Sequence, residues 1–422
     1  MQVTNVDDEY SESAVHLAAQ APGRLMMSPG RESAAQPAEI QNMDAVEEPH
    51  LGDFRAFYES LPPGPHWFMF FTSGLLNIVD RALRFLPQGV SVVLVGSSLP
   101  EEELGWLRRA HPECPFHHVP LLIDDKTIWE FLFATATEDF GWIDVDCFIL
   151  DSSLLDEMQE PGDRVALSGT FCFAPRPLLR THLLWTSIDA VARLRAEVPT
   201  SPTTYSYTLT HAQRYPEHSF CRILRADHIA HIGKVIDLDD RNQPVVGQSG
   251  ILELYSNGIT LQSSERSRAS EVFSGSTRRL FPIYDTLVVA QLVLQSLGYQ
   301  SRVVRGGISD ISAAAVHWKS ISYHRRIGQD LGDLTASERQ QVPRHHRWTL
   351  LADALLMFEF LETPDPPGRY DRYARFLSDR LAQEGFTLRT ARTELARHLT
   401  DAGVDAATLR ADERWRFLHS DR

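Results

Sequence analysis

No apolar run in these 422 residues is long enough to cross a bilayer. The most apolar early stretch, residues 66–76, is about half the length a spanning helix needs and is interrupted by Thr72, Ser73 and Gly74. The opening MQVTNVDDEYSES has no basic region and no apolar core of an export signal, so the expectation is a cytoplasmic chain. Cysteine is scarce: Cys114, Cys147, Cys172 and Cys221 are dispersed, without CxxC spacing, and read as reduced thiols. Lysine is nearly missing and the formal net charge is -15. That balance argues against nucleic acid as a partner, because such binding sets clustered cations against backbone phosphates. No GxGxxG opens a helix, and Gly96, Ser97 and Ser98 do not make a Walker loop, so an ATPase or a nicotinamide enzyme is without its usual fingerprint.

What is present is the composition of an ordinary globular chain, 43% hydrophobic. Residues 1–50 are rich in Ser, Ala, Glu, Gln, Pro and Gly, would bury little apolar surface, and are expected to form a disordered leader. In residues 51–343 strand and helix patterns alternate: strands near 67–71, 90–95 and 117–122, helices near 77–86, 100–110 and 126–137, with Asp124 and Asp125 as caps of the last. Beyond residue 150 the patterning predicts a strand at 164–174, a long helix at 178–197, a weak strand at 231–236, and a helix at 286–297 stopped by Gly298. Residues 344–422 read as a helical C-terminal region, a cap or a homo-oligomerisation element, with segments near 348–361, 370–384, 388–399 and 406–418. The alternation is that of an α/β layered domain with a mainly parallel sheet, whose ligands gather at the carboxyl ends of the strands.

The most informative segment is GWIDVDCFILD, residues 141–151, where Asp144 and Asp146 end an apolar run that reads as a buried strand. Alternation along a strand would put both carboxylates on one face. Burying them without a cation is costly, and hard oxygen ligands suit Mg²⁺ or Mn²⁺ bridging to the phosphates of a nucleotide. A second DxD, at Asp237 and Asp239, sits in a polar stretch and reads as a solvated turn.

In order along the chain, these features resemble the nucleotide-sugar-dependent glycosyltransferases of GT-A type. The matching features are an α/β nucleotide-binding half, the DxD of Asp144 and Asp146, an acid in YDT (residues 284–286) opening a helix that ends in Gly-Tyr, and a later histidine in VHW (residues 316–318). The resemblance covers residues 67–322 and implies a GT-A-like, Rossmann-like mixed sheet flanked by helices, with a C-terminal helical appendage. It also implies a metal-dependent, hexosyltransferase-type activity using Mn²⁺ or Mg²⁺ and a nucleotide-sugar donor, UDP-sugar favoured. The acceptor is unidentified, with a specialised metabolite, a peptide and a glycan as the classes considered.

By the same resemblance, Asp146 is the direct metal ligand, Asp144 supports it or contacts the ribose, and His317 is the third ligand, with His231 as its competitor. Thr72, Ser73 and Gly74 lie where the family holds the base, with Lys126 and Trp129 near the DxD strand. Asp285 is the acceptor's base if the reaction inverts, although it also reads as a helix cap. Tyr284 stands where many inverting members have a second acid, and WKSIS follows His317 in place of a glycine-rich turn, which leaves the stereochemical outcome open. Two alternatives remain. One is a non-catalytic, partner-binding member of the fold; the other is a haloacid-dehalogenase-type phosphatase, against which Phe148 stands where a hydroxyl or small branched residue is usual.

Overall fold

The computed structural model describes residues 49–160, 162–173, 178–206, 222–238, 254–256, 259–261, 283–318, 321 and 347–419. The expected leader lies outside these residues except for its last two, which open α1 (Pro49–Glu59). From Gly64 onward the chain folds as one unit.

That unit begins with the alternation expected from the patterning. β1 (His66–Thr72), α2 (Leu76–Arg84), β2 (Val92–Ser97), α3 (Glu101–Ala110), β3 (Phe116–Val119) and α4 (Asp125–Thr135) lead to β4 (Phe140–Ile143). Local chemistry sets the helix starts: three glutamates occupy the first turn of α3, and the Asp124 carboxylate accepts the Lys126 N–H at 3.2 Å to cap α4. β2 is buried along its whole length, as a parallel strand covered on both faces must be.

β1 pairs in parallel with β2 on one side and with β4 on the other. The direction of winding therefore reverses between β1 and β4, and the carboxyl ends of these strands flank a topological switch point, where open α/β sheets bind ligands. Gly141 makes the β1–β4 pairing possible. It lies opposite Trp67, and a Cβ there would fall 2.1 Å from the indole, which instead packs on Trp185 with ring centroids 5.1 Å apart.

β5 (Cys147–Ile149), α5 (Leu154–Gln159) and β6 (Val165–Phe173) follow. Residues 178–197 are not the single long helix expected from their apolar stripe. They form β7 (Leu178–Leu179), β8 (Leu183–Thr186) and α6 (Ile188–Glu197). β8 runs antiparallel between β4 and β6 with all its side chains buried, so LLWT joins the sheet between two strands distant in sequence. β9 (Tyr205–Ser206) and β10 (Arg222–Ile223) precede α7 (Ala226–Ile232), which occupies the start of the segment expected to be a strand. There the Arg225 N–H donates to the His228 ring, a local cap that favours a helix.

After β11 (Leu254–Ser256), β12 (Ile259–Leu261) and β13 (Ile283–Tyr284), α8 (Val288–Ser296) ends at Gly298, whose φ of 89° terminates the helix. β14 (Gln300–Gly307) joins β6 in parallel, giving the sheet order β14-β6-β8-β4-β1-β2-β3, and β15 (Ala315–His317) pairs antiparallel with β5.

The C-terminal region is helical, as expected: α9 (Arg347–Phe360), α10 (Arg369–Gln383), α11 (Leu388–Asp401), α12 (Ala406–Ala411) and a 3₁₀ turn at Glu413–Leu418. α9 is apolar on nearly every side and correspondingly enclosed. Phe360 packs on Trp106 at 4.8 Å and Trp415 on Phe85 at 5.0 Å, while Phe85 stacks on Phe148 at 4.8 Å. Each such aromatic pair adds about 0.5–1.5 kcal/mol beyond area burial. One core therefore runs from the helical region to the strand beside the DxD.

Candidate active site

Asp144 and Asp146 do not share a strand. β4 ends at Ile143, β5 begins at Cys147, and the three residues between them form a turn closed by the Cys147 N–H on the Asp144 carbonyl at 2.9 Å. The apolar flanks that read as one strand are two, so alternation does not govern which way the acids face. The turn nevertheless follows the carboxyl end of β4, at the switch point.

Register brings histidines to both acids. Ile143 pairs with Leu183 across β4 and β8, so the preceding His182 meets Asp144: the Asp144 N–H donates to the His182 carbonyl at 2.9 Å, and His182 Nδ1 lies 2.9 Å from Asp144 Oδ2. The other oxygen, Oδ1, accepts from the Trp142 indole at 2.8 Å. His317 pairs with Cys147 across β15 and β5, and its Nε2 lies 3.3 Å from Asp146 Oδ1. Asp310 stands behind it, its carbonyl accepting the His317 N–H at 2.7 Å and its carboxylate accepting from Arg180 at 2.8 Å. The His182 and His317 rings stack, with centroids 3.6 Å apart and planes 12° apart. One ligand atom each from Asp144, His182 and His317 lies within 4.8 Å of the other two.

The cluster has a closed back and an open front. The side chains of Asp146 and His317 are 3% and 4% exposed, against 25% and 23% for Asp144 and His182. Burial pushes the Asp144 carboxyl up, but the hydrogen bond and charge of His182 and the charge of His317 reverse this and hold it below the usual range. His182 is pushed down by burial and by the neighbouring His317 charge, against Asp144. Burial also disfavours the His317 cation, yet Asp146 and Asp310 outweigh it and the ring is pushed up to about 10. His317 Nδ1 is buried without a hydrogen-bond partner, since Asp310 is 3.6 Å away. Imidazole nitrogens and carboxylate oxygens gathered around one opening are a donor set that fits a divalent ion.

Thr72 ends β1, and Ser73 and Gly74 follow it, on the other side of the switch point. This loop is held by a buried polar network. The Gly74 N–H donates to the Glu103 carboxylate at 2.9 Å, the Tyr370 hydroxyl donates to the same carboxylate at 3.1 Å, and the Arg369 guanidinium donates to Ser73 Oγ. Glu103 is completely buried, and burial raises its carboxyl although Arg369 opposes the shift. Two residues of α10 thus help fix the loop expected to meet the nucleotide base.

Other expected site residues are placed differently. Trp129 is fully buried against Trp142, with ring centroids 4.6 Å apart, so it is a packing residue with no face offered to a ligand. Lys126 lies half-buried in the first turn of α4. Asp285 does not cap α8: the helix begins at Val288, Leu287 occupies the cap position with φ 68°, and the Asp285 carboxylate accepts the Thr286 N–H at 2.7 Å. His231 Nδ1 lies 2.6 Å from Ser296 Oγ and links α7 to α8. His182 is the member of the cluster that sequence reasoning passed over. Its signal is a histidine immediately before an apolar run, hidden because that run reads equally well as helix.

Comparison with known proteins adds an independent line. The model of the StrH glycosyltransferase N-terminal domain matches residues 44–191, and that of the StrH C-terminal domain matches residues 311–415. The dTDP-dihydrostreptose–streptidine-6-phosphate dihydrostreptosyltransferase of Streptomyces griseus is 27% identical over 403 residues, spanning 93% of this chain and 98% of its own. Among solved structures, the apo-form glycosyltransferase GlyE of Streptococcus pneumoniae is 13% identical over 32% of this chain and 40% of its own, with a TM-score of 0.23. Glucosyl-3-phosphoglycerate synthase of Mycobacterium tuberculosis, in complex with Mn²⁺, uridine-diphosphate and phosphoglyceric acid, is 10% identical over 56% of this chain and 92% of its own, with a TM-score of 0.26. Likenesses at that level carry no weight here. Residues 144 and 146 fall within the first StrH match and residue 317 within the second, and these matches together support glycosyl transfer as the activity of the chain.

Proposed function

We propose that the chain moves a glycosyl group from a nucleoside-diphosphate sugar to a hydroxyl of a small polar metabolite, with a divalent ion held by Asp144, Asp146 and His317. The observation that carries this reading is the gathering of the Asp144–His182 and Asp146–His317 pairs, joined by the stack of the two rings, at the turn after β4. The relative aligned over 98% of its length is named for a dTDP-sugar donor and a streptidine-6-phosphate acceptor. A dTDP-sugar is therefore the first donor to test, ahead of the UDP-sugar favoured from sequence, and a phosphorylated specialised metabolite is the first acceptor class.

When bound, the ion would neutralise charge on the departing diphosphate. The protein's part is positional. Trp142 and His182 fix both oxygens of Asp144, the Asp146 carboxylate holds the His317 ring while the Asp310 carbonyl holds its N–H, and Glu103 with Tyr370 fixes the loop at Thr72, Ser73 and Gly74 for the base. Asp285 would accept the acceptor's proton in an inverting transfer.

The test is incubation with dTDP- and UDP-sugars, Mn²⁺ and phosphorylated metabolite acceptors, followed by mass spectrometry. Nucleoside diphosphate release together with a glycosylated acceptor is expected; no binding of any such donor would remove the proposal. Within it, His317→Ala should weaken Mn²⁺ binding by about tenfold or more, whereas His231→Ala should leave it unchanged, because His231 is committed to Ser296. Calorimetry on the two variants checks this, and a larger loss for His231→Ala would exchange their roles.

A further inference from the structure

We infer that His182 is a further ligand of the ion, making a centre of two imidazoles and carboxylate oxygens that prefers Mn²⁺ to Mg²⁺. This rests on the reading that the cluster holds an ion at all. His182 is placed by the sheet: β8 pairs with β4, and the residue before β8 meets the residue after β4. Its Nδ1 stands 2.9 Å from Asp144 Oδ2, while His317 Nε2 stands 3.3 Å from Asp146 Oδ1. Adjacent ligands of a six-coordinate ion with bonds near 2.1 Å are about 3 Å apart. Each acid–imidazole pair thus has the spacing of two neighbouring ligands, and the ring stack sets the two pairs side by side.

Exposure supports the assignment. A histidine serving only to hold Asp144 has no need of solvent, yet the His182 side chain is 23% exposed and shares the open front of the cluster with Asp144. His317 and Asp146 form the closed back. An ion entering from solvent meets His182 and Asp144 first. The stack has a further consequence. With planes 12° apart, the lone pairs of the two rings lie in nearly parallel planes and do not converge, so an ion reached by both must tip one ring out of the stack.

Two nitrogen donors also shift the choice of metal. Mg²⁺ favours an all-oxygen shell, whereas imidazole strengthens binding of first-row transition ions. The deciding measurement is pulsed electron paramagnetic resonance of Mn²⁺ bound to the wild-type chain, which counts coordinated nitrogens. Two imidazoles are expected, falling to one in His182→Gln, whose amide still donates to Asp144. The variant should also bind Mn²⁺ about tenfold or more weakly and discriminate less against Mg²⁺, with its fold checked by thermal melting.

One imidazole in the wild type overturns the inference and leaves the metal centre standing. A folded His182→Gln that keeps wild-type Mn²⁺ affinity does the same. If the wild type binds no Mn²⁺ at millimolar concentration, the metal reading falls and the inference with it. Should the variant not fold, the wild-type nitrogen count alone decides.

Discussion

Asp146→Ala is expected to abolish metal-dependent donor binding. Its carboxylate is almost completely buried beside His317, so solvent cannot replace it as a ligand, and the variant is left with Asp144 and the two imidazoles facing an uncompensated diphosphate. From sequence, where the two acids simply repel, removing one promises a gain in apo stability. The structure reverses that sign, because Asp146 is the counterion of a His317 ring pushed up to about 10. Breaking a buried pair from one side costs about 3–5 kcal/mol. The loss should sit at the low end, since the ring can discharge its proton once the carboxylate is gone. Asp146→Asn keeps the shape and separates lost ligation from lost packing. Calorimetric titration of donor with and without Mn²⁺, beside a thermal melt of each variant, checks both parts. Unchanged Mn²⁺-dependent affinity in a folded variant would remove Asp146 from the metal site.

What was readable in the sequence follows a physical division. The β1–β4 alternation was legible because each strand is a compact apolar run and each helix start carries its own signal, such as Asp124 before α4 or the glutamates of α3. β8 was not, since LLWT has an apolar pattern that suits helix or strand equally, and its state is set by β4 and β6, each paired to it from far away in the chain. The site divides in the same way. Asp144, Asp146 and His317 were legible as polar groups at the ends of apolar runs. His182 and Asp310 join them only through strand register and loop return, which no local pattern encodes. Trp129 shows the same dependence: whether an aromatic side chain near a site is open or enclosed is set by its neighbours, and Trp142 closes over it. Asp285 was read as a cap because Asp is a frequent cap, while the chain begins α8 after a buried leucine in the left-handed region.

That last correction sharpens the remaining prediction. Asp285→Asn should reduce turnover by about two to four orders of magnitude while donor binding persists. Had Asp285 capped α8, loss of helix stability could imitate loss of a base. Since Leu287 holds the cap position and the Asp285 carboxylate accepts the adjacent Thr286 N–H, an asparagine oxygen can take over that hydrogen bond without disturbing the helix. The substitution keeps that hydrogen bond and removes the capacity to take up the proton of the acceptor hydroxyl. Product mass spectrometry at saturating donor, with donor affinity measured separately by calorimetry, reads the two effects independently. Lost turnover with unchanged donor affinity would place Asp285 at the acceptor and imply inversion at the anomeric carbon. Wild-type turnover would take Asp285 out of the mechanism and point to a retaining transfer, which needs no base at that position.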